Sequence, residues 1–156
     1  MVMRIKTAFI TLAAMLLFGT VASAQLAEPV KWSFNAQPLV DNEYEVTLTA
    51  DIADGWFLYS QYLPSDDGPI RTTIQFEKHP ALELKGKTEE NGHKKEGFDQ
   101  MFGMNVIKFS GKTQFVQKVV VKATDLNAVR GTLQYMTCNG QMCMPPKDLP
   151  FNVNLK

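Results

Sequence analysis

The sequence predicts an all-β sandwich, and three observations carry that reading. Apolar and polar residues alternate with period two in one stretch after another, turn-forming residues separate those stretches, and almost no helical period appears beyond residue 24. Short alternating strands with no helices to cover a parallel sheet leave two packed antiparallel sheets as the expected architecture. The 156-residue chain divides into an export signal, residues 1–24, and a single domain, residues 25–156.

The signal is read from Arg4 and Lys6, the apolar run Ala8 to Phe18, and the small residues Ala22-Ser23-Ala24, with cleavage expected after Ala24. No cysteine follows that point to take a lipid, and no second long apolar run follows, so no membrane insertion is expected after cleavage. The full chain balances 16 Lys+Arg against 16 Asp+Glu; removing Arg4 and Lys6 leaves 14 against 16, a net charge of −2. That charge gives no electrostatic basis for binding nucleic acid or anionic lipid.

In chain order, Val30, Trp32 and Phe34 mark a first half-buried strand, and Tyr44, Val46, Leu48, Ala50 and Ile52 a longer second one. Asp54-Gly55 ends the second strand and the aromatic segment Trp56-Phe57-Leu58-Tyr59 follows, running to Pro64. Ser65-Asp66-Asp67-Gly68-Pro69 is turn chemistry; its two aspartates lack calcium-ligand spacing. Alternation resumes at Ile70, Thr72, Ile74 and Phe76 and again at Leu82 and Leu84, after which the charged stretch from Lys85 to Glu96 reads as a solvated loop. Asn105, Ile107 and Phe109 form a short strand, Phe115 to Lys122 a longer one, Asp125 to Val129 at most a helical turn, and Phe151, Val153 and Leu155 the last strand.

The chemistry concentrates between Gly131 and Pro150, where both cysteines of the chain, Cys138 and Cys143, flank Asn139-Gly140. Asn and Gly tolerate positive φ, so the strand carrying Leu133 and Tyr135 is expected to reverse here. With Asn139 to Met142 as a four-residue loop, the cysteines become opposed partners with Cα atoms about 4.5–5.5 Å apart. That separation suits a disulfide. Pro145-Pro146 follow at once, and because proline donates no backbone hydrogen bond, the pair is expected at a sheet edge, within a partner's reach. An exported chain with two cysteines has the setting for a disulfide. A loop of about six residues, however, stabilises a fold by only about 2 kcal/mol in the chain-entropy model. A poor staple shifts weight toward redox chemistry. The cysteine spacing is not that of thioredoxin-like sites and no helix N-terminus follows to activate a thiol, so the redox role is that of a relay whose partner supplies the activated thiol.

Other chemistries find no footing. His79 and His93 lie far from the cysteines in sequence, which argues against zinc, and neither a nucleophile elbow nor a phosphate-binding glycine loop occurs; no metal and no cofactor are expected. The five methionines of the mature chain fall in two places, Met101 and Met104, and Met136, Met142 and Met144. Polarisable methionines suit an adaptable contact surface. With two thiols they also offer Cu(I) soft ligands, which is kept as a subordinate alternative.

The segments Tyr135-Met136-Thr137-Cys138 with Cys143-Met144-Pro145-Pro146, Asp54 to Tyr59, and Asp99-Gln100-Met101-Phe102-Gly103 resemble the N-terminal periplasmic domain of the thiol:disulfide interchange protein DsbD, a disulfide bond corrector domain. The resemblance implies an immunoglobulin-like sandwich in the periplasm. It implies that Cys138 and Cys143 accept electrons from a thioredoxin-like donor and pass them to periplasmic disulfide proteins or cytochrome c maturation factors. It further implies that Cys143 forms the mixed disulfides and Cys138 resolves them. Phe57 and Tyr59 match aromatic positions beside that site, and Asp99 to Phe102 a cap loop over it. Two departures stand out: with the sequence ending at Lys156, the membrane and thioredoxin-like domains of that family are expected to be absent, and the cap carries Met101 with Phe102 beside it where a phenylalanine is expected.

Independently of the resemblance, Gly97 to Gly103 is expected to lie over the disulfide as a movable lid with glycine hinges, because its bulky apolar residues need a surface to pack on. The competing reading plugs Phe98 and Phe102 into the sandwich core. The alternative for the whole chain is an exported binding module with a purely structural disulfide.

Overall fold

The structure, a computed structural model, describes residues 28–155; the signal segment and its cleavage point lie outside the described residues. Among the described residues nine strands make the fold: β1 Val30–Pro38, β2 Glu43–Ile52, β3 Phe57–Tyr59, β4 Thr73–Phe76, β5 Leu82–Asp99, β6 Met104–Val121, β7 Ala128–Tyr135, β8 Thr137–Cys138 and β9 Lys147–Asn154. They form an immunoglobulin-like β-sandwich of two antiparallel sheets. The larger sheet runs β1-β2-β6-β3-β8 with β5 on the other side of β6, and the smaller runs β4-β7-β9.

Period-two alternation gives each sheet one apolar face, and burying those faces against each other builds the core. Val46, Leu48 and Ala50 of β2 and Phe109, Phe115 and Val119 of β6 meet Val129 and Leu133 of β7 and Phe151 and Val153 of β9. Trp32 closes one side, its ring 5.7 Å from that of Phe115 and 5.3 Å from that of Tyr135.

Three expectations are corrected. Lys85 to Glu96 is not a loop but the middle of the 18-residue β5, paired with β6 from Leu82↔Val121 to Asp99↔Met104. Nearly all of β5 is exposed, so it is held by ladder hydrogen bonds and leaves no apolar period to read; its charged side chains are those an unpaired edge tolerates. The register breaks between Lys85 and Glu89, and the buried Gln117 fills the break by donating to the carbonyls of Lys85 and Lys118 while accepting from Thr88 Oγ1. The two strands expected at Asn105–Phe109 and Phe115–Lys122 are one, β6, which runs through Gly111 at φ 62°. The helical turn expected at Asp125 to Val129 is instead a turn at Thr124-Asp125, closed by Leu126 N–H donating to Ala123 O, followed by extended chain into β7.

β6 is what positions the site. Along residues 112–120 it pairs with β2, and where β2 has ended, β3 takes its place through Leu58↔Phe109 and Tyr59↔Lys108. β8 then pairs with β3 through Phe57↔Cys138 and Leu58↔Thr137, at the sheet's edge. Beyond β3, Glu90 of β5 accepts from Ser60 Oγ at 2.5 Å and from Gln61 N–H at 2.7 Å, tying the chain after β3 to the long hairpin.

Candidate functional site: a covered disulfide at the sheet edge

The cysteine segment is an excursion between two strands of the smaller sheet. β7 and β9 pair directly, Tyr135 opposite Lys147, and the residues between them cross to the larger sheet to form β8 and the turn. Cys138 and Cys143 are register partners joined as a disulfide, with Cα atoms 4.1 Å apart. They form the non-hydrogen-bonded type of antiparallel pair, flanked by Met144 N–H donating to Thr137 O and Asn139 N–H to Met142 O, and this type brings Cα atoms closest. Asn139 organises the turn: its Oδ1 accepts from the N–H groups of Gln141 and Met142, both at 3.0 Å, while Gly140 takes φ 85°. Cys138 is fully buried and Cys143 partly exposed.

Beneath the disulfide lies a second, smaller apolar cluster. β3 divides its side chains by pleat: Leu58 enters the sandwich core, while Phe57 and Tyr59 face outward and pack with Met136, Val106 and Cys138. The rings of Phe57 and Tyr59 meet edge to face at 5.6 Å, and Tyr59 meets Phe102 likewise at 5.8 Å. Burial, and secondarily the carboxylate of Asp99, pushes the Tyr59 phenol well above its usual pKa, so it stays neutral. Its hydroxyl is buried without a hydrogen-bond partner among the described residues.

Above the disulfide is the turn of the β5–β6 hairpin. Asp99 O accepts from Gly103 N–H at 2.8 Å, Asp99 Oδ1 from Met101 N–H at 3.0 Å, and Gly103 sits at φ 66°. This turn brings Met101 Sδ to 3.4 Å from Cys143 Sγ. Asp99 Oδ2 accepts from Lys108 Nζ at 3.2 Å, and the same ammonium lies 4.1 Å from the centre of the Phe57 ring.

All the expected site residues, Cys138, Cys143, Asp99, Met101, Phe102, Phe57 and Tyr59, therefore converge on one place. The extent of the loop differs from expectation: Gly97, Phe98 and Asp99 belong to β5, only Gln100 to Gly103 is turn, and Gly97 carries no positive φ. Neither phenylalanine enters the sandwich core, since Phe98 is 66% exposed and Phe102 packs on Tyr59. The methionines separate as well. Met101 touches the disulfide, Met136 is buried beneath it, Met142 is exposed on the turn, and Met104 fills the space beside Gly68. Met144 lines an apolar groove of about 290 Å³ with Pro145, Pro146 and Tyr135. The groove and Lys108 were not read from the sequence. Lys108 stands in a polar-apolar strand like many others, and only the hairpin pairing sets it beside Asp99.

Fold and site together define a β-sandwich that carries a single cysteine pair on an edge, enclosed by aromatic residues and a hairpin turn. The chain belongs to the family of the thiol:disulfide interchange protein DsbD, N-terminal, whose profile matches residues 23–154. Its fold is shared with the reduced DsbD N-terminal domain of Neisseria meningitidis, at TM-score 0.54 and 17% identity over 81% of this chain and 85% of that one. It is shared equally with the structure of the complex between the DsbD N-terminal and PilB N-terminal domains of Neisseria meningitidis, at TM-score 0.55 and 17% identity over 82% and 87% of the respective chains. The N-terminal periplasmic domain of ScsB from Proteus mirabilis matches at TM-score 0.51 and 18% identity, over 81% of this chain and 45% of that one. No curated protein matches the chain. Among the described residues, no helix is long and apolar enough to cross a membrane.

Proposed function

We propose that the domain, residues 25–156 after removal of residues 1–24, is a periplasmic electron relay that exchanges its one disulfide with thioredoxin-like proteins. The observation that carries this reading is the asymmetry of the pair. Cys143 is partly exposed on an edge turn while Cys138 is buried against Phe57 and Tyr59. A bond that closes so short a loop adds little stability, so its placement at an accessible edge calls for another reason.

In the accepting direction, a donor thiolate attacks Cys143 Sγ, the Cys138–Cys143 bond breaks, and the electron pair leaves on Cys138, which takes up a proton. The donor's second thiol then attacks the donor sulfur of the mixed disulfide and frees Cys143. Two electrons and two protons have passed, and the donor leaves as a disulfide. In the delivering direction Cys143 as thiolate attacks the acceptor's disulfide, and Cys138 resolves the mixed disulfide by attacking Cys143. Asp99, Met101 and Phe102 above, with Phe57 and Tyr59 below, shield the reduced pair from stray oxidants. The acceptors in this reading are periplasmic disulfide proteins or cytochrome c maturation factors, and family membership and the DsbD–PilB domain complex support protein partners.

Trapping tests the reading. The Cys138→Ala variant should accumulate mixed disulfides through Cys143 with thioredoxin-like proteins, while Cys143→Ala should not. A structural bridge should have a reduction potential below about −300 mV, whereas a relay lies near the potentials of its partners. Absence of trapped partners together with a potential below that limit leaves the binding-module reading in its place.

A further inference from the structure

From the sulfur atoms at the site we infer that the reduced protein binds one Cu(I) ion through Cys138, Cys143 and Met101. Opening the disulfide leaves two thiols on the facing arms of the turn, at Cα positions 4.1 Å apart. The hairpin turn already holds a third sulfur against them, Met101 Sδ at 3.4 Å from Cys143 Sγ. Metal–thiolate bonds of about 2.3 Å place two sulfurs on one ion roughly 4 Å apart, a spread these three reach with small side-chain rotations. The turn is anchored independently of the sulfurs, through Asp99 and its bonds to Met101 N–H and Lys108 Nζ, so the thioether is held in place before any ion arrives.

The donor set selects the metal. Two thiolates and a thioether are soft ligands, which favour Cu(I) over harder divalent ions. Among the described residues no group of three or more His, Cys, Asp or Glu comes together, so zinc lacks the nitrogen and oxygen ligands that would complete a tetrahedron around the pair. Asp99, the carboxylate at the site, is engaged by Lys108. Cys138 and Met136 sit in an apolar cluster with Tyr59 and Val106, surroundings that keep water from the inner side of the ion. On binding, each ligating thiol releases its proton to solvent, and the copper enters and remains as Cu(I).

The inference requires only that the pair be reducible, which the relay reading shares, and chemical reduction makes the two separable. The mature protein is reduced with a phosphine, freed of reductant under anaerobic conditions, and titrated with Cu(I) against a chromophoric Cu(I) chelator, with the oxidised protein as control. One equivalent should bind to the reduced protein and none to the oxidised, and X-ray absorption should show three sulfur neighbours. Loss of a single outer-shell partner of a metal ligand costs roughly 10–100-fold in affinity, so Met101→Leu should weaken binding at least about tenfold. It should also lower the sulfur count from three to two, a readout that a packing role for Met101 does not move. Met142→Leu, on the exposed side of the turn, should change neither value. Failure of the reduced protein to compete with the chelator, or an unchanged affinity and sulfur count in Met101→Leu, overturns the inference. Copper binding without exchange toward thioredoxin-like proteins leaves the inference standing and removes the relay.

Discussion

Asp99 and Lys108 form an ion pair at the base of the hairpin turn, Oδ2 to Nζ at 3.2 Å, with the carboxylate buried and the lysine mostly so. The lysine continues to the Phe57 ring, and Phe57 is the strand partner of Cys138; the aspartate's other oxygen holds Met101, whose sulfur rests on Cys143. One acidic residue thus links the floor of the site to its cover.

Replacing Asp99 by alanine removes the acceptor for Met101 N–H and strands the Lys108 ammonium. A lost buried charge-assisted bond costs about 1–3 kcal/mol, and releasing the turn by one or two kcal/mol raises its open population roughly 5–30-fold. Stopped-flow measurement of the reduced pair reacting with a small disulfide should show acceleration in that range. Asp99→Asn keeps an oxygen for Met101 and should fall between wild type and alanine.

Met101 and Phe102 should separate shielding from stability. Met101 is 43% exposed, so Met101→Ala should alter stability by no more than about 0.5 kcal/mol while speeding reaction with a small disulfide. Phe102→Ala forfeits the edge-to-face contact with Tyr59, worth about 0.5–1.5 kcal/mol beyond area, and should cost stability as well. Urea titrations run beside the kinetics check both. A large stability loss with unchanged reactivity in Met101→Ala would show that it is packing and not cover.

Reducing Cys138–Cys143 should destabilise the fold modestly and leave it folded. The sequence separation is 5, and a loop that short is worth only about 2 kcal/mol in chain entropy. Calorimetry of the oxidised and reduced forms should place the reduced transition only roughly 5–10 °C below the oxidised one. A reduced form that is unfolded at room temperature would establish a structural bridge.

Gly131 tests the sandwich itself. A Cβ there would lie 2.2 Å from the carbonyl oxygen of Gln75 on β4 and 2.4 Å from the Phe151 ring on β9, and backbone cannot yield as a side-chain tip can. Gly131→Ala should cost about 1–3 kcal/mol by urea titration. Because β7 leads into the cysteine excursion, the variant should also exchange thiols faster through the loosened turn.

Tyr59→Phe keeps the ring that backs Cys138 and removes a buried hydroxyl that has no hydrogen-bond partner among the described residues. Burying an unpartnered hydroxyl costs about 1–3 kcal/mol. The variant should therefore be at least as stable as wild type, with an unchanged exchange rate. A loss of either would assign the hydroxyl a role at the disulfide.

The sequence by itself determined the sandwich and the cysteine turn, and the family resemblance pointed to Phe57, Tyr59 and Asp99 to Phe102 as the residues around it. Alternation at Tyr44 to Ile52, positive-φ chemistry at Asn139-Gly140 and the proline pair after Cys143 are local signals, each governed by neighbours a few residues away. The tertiary structure alone decided what those signals could not reach. That β5 is an 18-residue strand follows from its ladder with β6, because an edge strand that buries almost no side chains shows no period. That the chain leaves the smaller sheet at Met136 and returns after the turn as β9, paired with β7, places the cysteines against Phe57 rather than on a simple hairpin. The closeness of Met101 to Cys143 and of Asp99 to Lys108 depends on the length of that long hairpin and on β3 replacing β2 along β6. These are contacts between residues remote in sequence, set by register and packing of whole strands, and no short window of residues records them.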